Sequence, residues 1–484
     1  MSDYYIRIKG DVWVNVAPTP ANLTTYVLLE QEDWFEKEIG FVRRFLRSGM
    51  CAIDIGANHG VYALSMAKAV RPGGRVWAFE PVAATATMLR RSIARNGLDN
   101  LDLRTLALSD HEGTDIFYTY PNSEMNSFTR FEATDGSVTE EVTVSTLDRQ
   151  FPSSNGIAMD FVKIDAEGEE MRIVEAGERF FVDQSPLVMF EINNKNDDGS
   201  AAVLGERLHR LGYGIYRLIG PDALLVPVVE NDVLDPFEFN LFACKPDRAT
   251  QLGASGLLVP QVEAAPVAIA GAGLSLFRSQ AYASSMGSLA FQGGAYERAL
   301  DAYAMWRDPR VSPGQRYAAL CQALAEARDA ARDDTSGIER LSSLARIAAE
   351  AGQRALAVDT LTRLRVVIEG GDQPPVEPFF PALARYDAID PGAAARQWFL
   401  AASFEALELM QTYSSAYESA QPKNRQIRQW LLTTPFASPA IERRRQLQLI
   451  RDGRQAALMA APILALETPD NLNPGLWAGR SVMP

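Results

Sequence analysis

With 484 residues the chain is too long for one ordinary hydrophobic core, so two or more domains are expected. Hydrophobic residues make up 47% of it and charged residues 22%, which excludes a disordered or fibrous chain. The formal net charge of −14 lies wholly in residues 1–250, where 24 Lys and Arg face 38 Asp and Glu, against 23 of each in residues 251–484, and that acidity argues against a nucleic-acid partner.

The first fifty residues offer two strand-like runs, "YYIRI" and "DVWVNV", then a turn at Pro18 and Pro20. "EDWFEKEIGFVRRFLRSG" follows, with Trp34, Phe35, Ile39, Phe41, Val42, Phe45 and Leu46 at helical spacing and Gly49 as the stop. Short apolar runs then recur with helical stretches between some of them: "CAIDI", "RVWAFE", "LDLRTLAL", "FVKID" and "LVMFEI". That rhythm predicts an α/β fold with a largely parallel sheet. Between Gly113 and Leu147 the helical signal gives way to "TDIFYTY", "NSFTRF" and "EEVTVSTL", an excursion suited to substrate binding.

After "LFACKPD" the composition turns to Ala, Gly and Pro, so residues 251–275 are read as a linker. It joins a first domain, 1–250 (1–48 preceding a cofactor and catalytic core at 49–245), to an all-α second domain at 276–484. That second half is alanine-rich, carries the single lysine Lys423, and keeps helical periodicity almost to its end. "GSLAFQGGAYERALDAYAMWRDP" has Gly287, Gly294, Tyr296, Ala299 and Tyr303 near the spacing of half a tetratricopeptide repeat, echoed more faintly around Gly352, Ala357 and Leu361. A degenerate array and a plain bundle both fit. Three cysteines, no apolar leader in "MSDYYIRIKG" and no apolar run long enough to span a bilayer point to a cytoplasmic protein.

The chemistry centres on "CAIDIGANHGVYALSMAKAV". Asp54 closes a strand, Gly56 and Gly60 shape the turn, and Glu80 ends the next apolar run, where a carboxylate can accept both hydroxyls of a ribose. The turn lacks the middle glycine of a dinucleotide fingerprint, and Asp54 adds negative charge where a pyrophosphate would lie. A ligand with an ammonium and a ribose, S-adenosylmethionine, matches better. In "FVKIDAEGEE", alternation puts Lys163 and Asp165 on one face, with Asp165 at the carboxyl end of its strand. Glu191 ends the next run. Asp165 and Glu191 could hold Mg2+ or Mn2+, one could serve as a base, or Lys163 could simply pair with one of them. His59 in the loop is a candidate base; His111 and His209 are isolated. No Cys-x-x-Cys, H-E-x-x-H or G-x-S-x-G motif occurs.

Taken in order, "AIDIGANHGVYAL", "FEPVAATATMLRRSIARNG", "ALSDHEG", "VSTLD", "FVKIDAEGEEMRIVEAG" and "PLVMFEIN" resemble the successive motifs of the FkbM-type S-adenosylmethionine-dependent methyltransferases, over about residues 35–245. The resemblance implies a Rossmann-like class I methyltransferase sheet. It implies cofactor contacts at Asp54, Gly56, Ala57, Asn58, Gly60, Glu80, Pro81, Ser109 and Asp110, and catalytic roles among Lys163, Asp165, Glu167 and His59. It also implies methylation of a hydroxyl on a sugar or glycan, with Asn126 and Ser127 touching the acceptor. Methylation of a small natural product, at oxygen or nitrogen, is the alternative, as is a scaffold whose helical half recruits a protein or peptide partner.

Overall fold

The computed structural model describes residues 4–120, 123, 126–128, 137–152, 156–192, 200–229, 233–332, 337–371, 374–417 and 422–452. The end of "NSFTRF" and the helical reading of 453–484 lie outside them. The chain divides into two compact units: Met1–Arg217, Glu238–Leu252 and Gln446–Pro484 form the first, Leu218–Phe237 and Gly253–Arg445 the second.

In the first unit, β1 (Tyr4–Ile8) and β2 (Val12–Val16) make a hairpin in the register Ile8 with Val12. Gly10 and Asp11, both at positive φ, turn it. Helix Leu23–Gln31 follows, its first turn capped by the Asn22 side chain. Here the structure corrects the sequence pattern. Glu32 stands in the left-handed region and closes that helix, so the helix read over residues 32–49 spans only Glu38–Phe45. Trp34 and Phe35 satisfy helical spacing yet lie in the connector, packed on each other, with Phe35 edge-on to Phe239.

The main sheet takes β3 (Cys51–Ile55), β4 (Arg75–Phe79) and β5 (Leu101–Arg104) to one side. On the other lie β9 (Phe161–Ile164) and β10 (Leu187–Glu191), then β13 (Asn240–Cys244) and β11 (Gly214–Ile219). Their order is β11-β13-β10-β9-β3-β4-β5, with β5, β4, β3, β9 and β10 parallel and β13 antiparallel to both neighbours. Buried Ile53, Ala78, Val162 and Val188 show why these strands read as continuous apolar runs: helices cover both faces. The order reverses between β3 and β9, and the crevice beyond their carboxyl ends is where such sheets bind ligands.

"LDLRTLAL" splits. After β5 its end becomes β6 (Ala107–Leu108), which joins a separate three-stranded sheet with β7 (Gly113–Thr119) and β8 (Val138–Ser145), in the order β6-β8-β7. Val82, Ala107, Phe117, Val142 and Val144 form its small apolar core.

In the second unit, β12 (Leu224–Pro227) bridges from Leu225 to Leu258. Helices Ala295–Trp306 and Pro313–Ala330 pack as one consecutive pair, Ile338–Glu350 and Arg354–Gly370 as the next, and Ala395–Gln411 follows. Their core is aromatic, with Tyr282, Tyr303, Trp306 and Trp398 fully buried. Glu350 sits inside it and accepts from Trp306 Nε1 and Arg346 Nε at 2.6 Å and from the Tyr303 hydroxyl at 2.9 Å. A buried carboxylate so surrounded is a satisfied structural charge.

Candidate active site

β3 runs out through Gly56-Ala57-Asn58-His59-Gly60 into helix Val61–Ala69. The Gly56 and Ala57 amides both donate to the Phe79 carbonyl, at 3.1 and 2.9 Å, which staples the turn across the end of β4. Gly56 has φ +78, and a Cβ there would meet the Asp165 carbonyl oxygen at 1.7 Å. Only glycine lets the loops after β3 and β9 come this close.

Glu80, at the end of β4, is 6% exposed. Its Oε2 accepts from the Asn58 amide and its Oε1 from the Val82 amide, both at 2.9 Å. Each oxygen keeps a lone pair for a further donor. Burial pushes this carboxyl up to about 7, while the two amides pull it down. Pro81 follows it, half-buried. Ser109 is buried and its hydroxyl donates to Glu169, whereas Asp110 is exposed and pairs with His111 at 2.8 Å.

Asp54 and Lys163 are neighbours in the β3–β9 register. Asp54 is fully buried, with the Lys163 ammonium 3.9 Å off and a weaker pull from the Ala63 amide. Burial raises its carboxyl to about 6 against the pull of Lys163. Lys163 donates to Asp165 Oδ2 at 2.6 Å and lies 5.0 Å above the Tyr62 ring. Burial acts to lower the ammonium, but Asp165, Asp54 and Glu36 outweigh it and hold Lys163 charged. The simple ion pair between Lys163 and a strand-end carboxylate is thus present.

A carboxylate oxygen from each of Asp165, Glu167 and Glu191 lies within 4.8 Å of the other two. All three are half-buried. Burial acts to raise Asp165, but Lys163 and a hydrogen bond from Glu191 hold it below its usual range. Glu191 goes the opposite way, held above its ordinary range by burial and then by the charges of Asp165 and Glu167. Glu167 has φ +49, a conformation held in part by the Ser127 hydroxyl, which donates to its carbonyl at 2.9 Å. Asn126 spends its Oδ1 on the Tyr120 amide at 2.8 Å.

His59 is 1% exposed, and its Nδ1 meets Asn58 Oδ1 at 2.8 Å. Burial lowers the ring to about 4. His111 and His209 are at the surface, away from this group.

Two residues escape a motif-based reading. The Tyr62 hydroxyl donates to Glu36 Oε2 at 2.6 Å, and Glu36 in turn feels the charges of Lys163 and Asp165. The only sequence cue was an acidic run before the helix at Glu38. Burial holds Glu36 above its ordinary range, with Lys163 opposing.

Residues 54–214 match the family model described as the methyltransferase FkbM domain. A search of curated proteins returns no match. Among solved structures, a putative rRNA-methylase from Clostridium thermocellum is similar at 11% identity, over 43% of this chain and 92% of that one, with a TM-score of 0.27. An O-methyltransferase from Bacillus cereus in complex with SAH shares 13% identity, over 43% and 80%, with a TM-score of 0.25. A SAM-dependent O-methyltransferase from Thermotoga maritima shares 14%, over 43% and 64%, also at 0.25. Likeness at that distance says nothing of chemistry. The domain match, laid over the Asp54 turn, the Glu80 strand end and the Lys163–Asp165 pair, makes residues 54–214, a third of the chain, a methyltransferase domain of the FkbM type.

Proposed function

We propose that the chain methylates a hydroxyl of a sugar or glycan and that Asp165 takes the proton of that hydroxyl. The observation that carries this reading is the setting of Asp165. It stands half-open at the carboxyl end of β9, beside the switch in strand order, ionised and oriented by Lys163 at 2.6 Å. Bound S-adenosylmethionine supplies an electrophilic methyl group. The residues present fit it: Glu80 accepts one backbone amide on each oxygen, from Asn58 and Val82, and keeps a lone pair on each for a ribose, while Asp54 puts a carboxylate at the end of β3 for an ammonium. As the acceptor oxygen attacks, its proton passes to Asp165, and Lys163 keeps that carboxylate aligned.

Charge supports the acceptor class. Glu36, Asp165, Glu167 and Glu191 gather at one edge with Lys163 as the counter-charge, which disfavours a phosphorylated acceptor and suits hydroxyl donors. The helical unit is read as the part that selects the acceptor or a protein partner. Mass spectrometry of host glycans with and without the protein tests the reading. A mass difference of one methylene on a glycan supports it; the same difference confined to an amine or a small natural product overturns it.

A second reading uses the same carboxylates. Asp165, Glu167 and Glu191 form an all-oxygen set suited to Mg2+ or Mn2+. Activity lost in chelator and restored by either ion supports it; full activity in chelator removes it.

A further inference from the structure

Lys163 leaves β9 between two carboxylates and stands nearer the one that needs it less. Its ammonium is 2.6 Å from Asp165 Oδ2 and 3.9 Å from Asp54 Oδ1, yet the Asp165 side chain is 29% exposed and that of Asp54 only 1%. Water screens the outer charge and not the inner one, so attraction alone would draw the ammonium inward, to Asp54. A third group must favour the outer position. Tyr62, in the first turn of helix Val61–Ala69, is in place to do so, with its ring centroid 5.0 Å from the ammonium. An aromatic face attracts a cation at that distance.

The ring is itself held, because its hydroxyl donates to Glu36 Oε2 at 2.6 Å. Tyr62 is buried and Glu36 half-buried. Glu36 belongs to the connector between helices Leu23–Gln31 and Glu38–Phe45, ahead of the residues that match the domain family, and its charge also reaches Lys163. We propose that Glu36 and Tyr62 form a tether that positions Lys163 on Asp165 for methyl transfer. Glu36 fixes the Tyr62 hydroxyl, the Tyr62 ring favours the outer place for the ammonium, and Lys163 keeps the Asp165 carboxylate aligned. Both are positioning residues that act through Lys163. The inference rests on the reading of Asp165 as the base.

The full chain is labelled with 15N at lysine and 13C at the aspartate carboxyls, and couplings across hydrogen bonds from lysine Nζ to carboxyl carbon are recorded in chelator. Seven lysines occur in the chain, few enough to follow the Lys163 ammonium singly. The unaltered chain is expected to couple Lys163 to Asp165; coupling to Asp54 in its place overturns the proposal even if every variant fails to fold. Tyr62→Phe keeps the ring without its hydroxyl, and Glu36→Ala removes the acceptor, so each should weaken that coupling or move it to Asp54. Glu36→Gln keeps an oxygen for the hydroxyl and should retain it. An unchanged coupling in Tyr62→Phe or Glu36→Ala, or the same loss in Glu36→Gln as in Glu36→Ala, overturns the tether. Methyl transfer from labelled S-adenosylmethionine to a host glycan extract gives a second readout. Tyr62→Phe should lower kcat about tenfold with the KM for S-adenosylmethionine unchanged, as when an interaction made only in the transition state is lost, whereas a raised KM with kcat intact overturns the proposal. Asp165→Asn is run beside it: undiminished transfer there removes the base reading itself, a result distinct from a coupling that Tyr62→Phe leaves unmoved.

Discussion

Lys163 reaches out of β9 to Asp165, two residues further along the same strand end, and closes on its Oδ2 at 2.6 Å while standing 3.9 Å from Asp54. One buried ammonium thus stands beside a fully buried carboxylate and a half-buried one. The two halves of that arrangement respond differently to substitution. Asp165→Asn keeps the shape and removes the proton acceptor, so turnover is expected to fall about 10²–10⁴-fold with S-adenosylhomocysteine affinity retained, measured by steady-state kinetics and calorimetry. Lys163→Met instead leaves two carboxylates uncompensated and should cost about 3–5 kcal/mol of stability in denaturant unfolding.

Glu80→Ala removes the carboxylate that holds the Asn58 and Val82 amides and faces the loop. Cofactor binding should weaken by about 1.5–3 kcal/mol, the scale of hydrogen bonds to a charged group. Unchanged affinity by calorimetry takes Glu80 away from the ribose.

The buried carboxyls also set a pH dependence. Burial raises Glu38 to about 8, with Lys37 opposing and Glu238 and Glu36 adding, and raises Glu80 to about 7. Both titrate near 4.3 (about that value) in an unfolded chain, so the folded state binds more protons in between and loses stability as pH climbs through these values. His59, held at about 4, acts in the opposite direction, but its contribution is complete by about pH 6.5. From about pH 6.5 to 8 the unliganded protein should therefore lose about 2–3 kcal/mol, and Glu38→Gln should remove the larger part of that loss. Denaturant melts at the two pH values check it; a flat or rising profile contradicts the assignment.

A chain ending near residue 250 is expected to aggregate. Ile219, Leu224 and Val226 are buried in one apolar cluster with Phe277, Tyr303 and Trp306, all of the second unit. The cut strips away what covers them. Size-exclusion chromatography and calorimetry test this: a soluble fragment with the full chain's affinity for S-adenosylhomocysteine would show that residues 218–237 do not depend on the helices.

The site separates what local chemistry encodes from what long-range packing decides. Strand runs ending near Asp54, Glu80, Asp165 and Glu191 are legible because a strand buried on both faces is largely apolar until its end, with Lys163 inside β9 as the exception. The glycines at 56 and 60 are legible for the same local reason: positive φ and close backbone approach demand them. Periodicity failed at Trp34 and Phe35, since a left-handed Glu32 ends one helix and begins a connector that still has helical spacing. It also missed Glu36 on Tyr62, a contact 26 residues apart with no motif to announce it.

By itself, the amino-acid sequence determined the α/β order, the glycine turn after β3 and the carboxylates at the strand ends, because each depends on residues within one turn or one strand. Only the tertiary structure decided that Asp165 and Glu191 shift each other in opposite directions, that Lys163 stands beside both Asp54 and Asp165, and that Leu218–Phe237 count with the helical residues. Charge pairing and core burial act through space, and the sign of a buried group's shift depends on neighbours that arrive from distant parts of the chain.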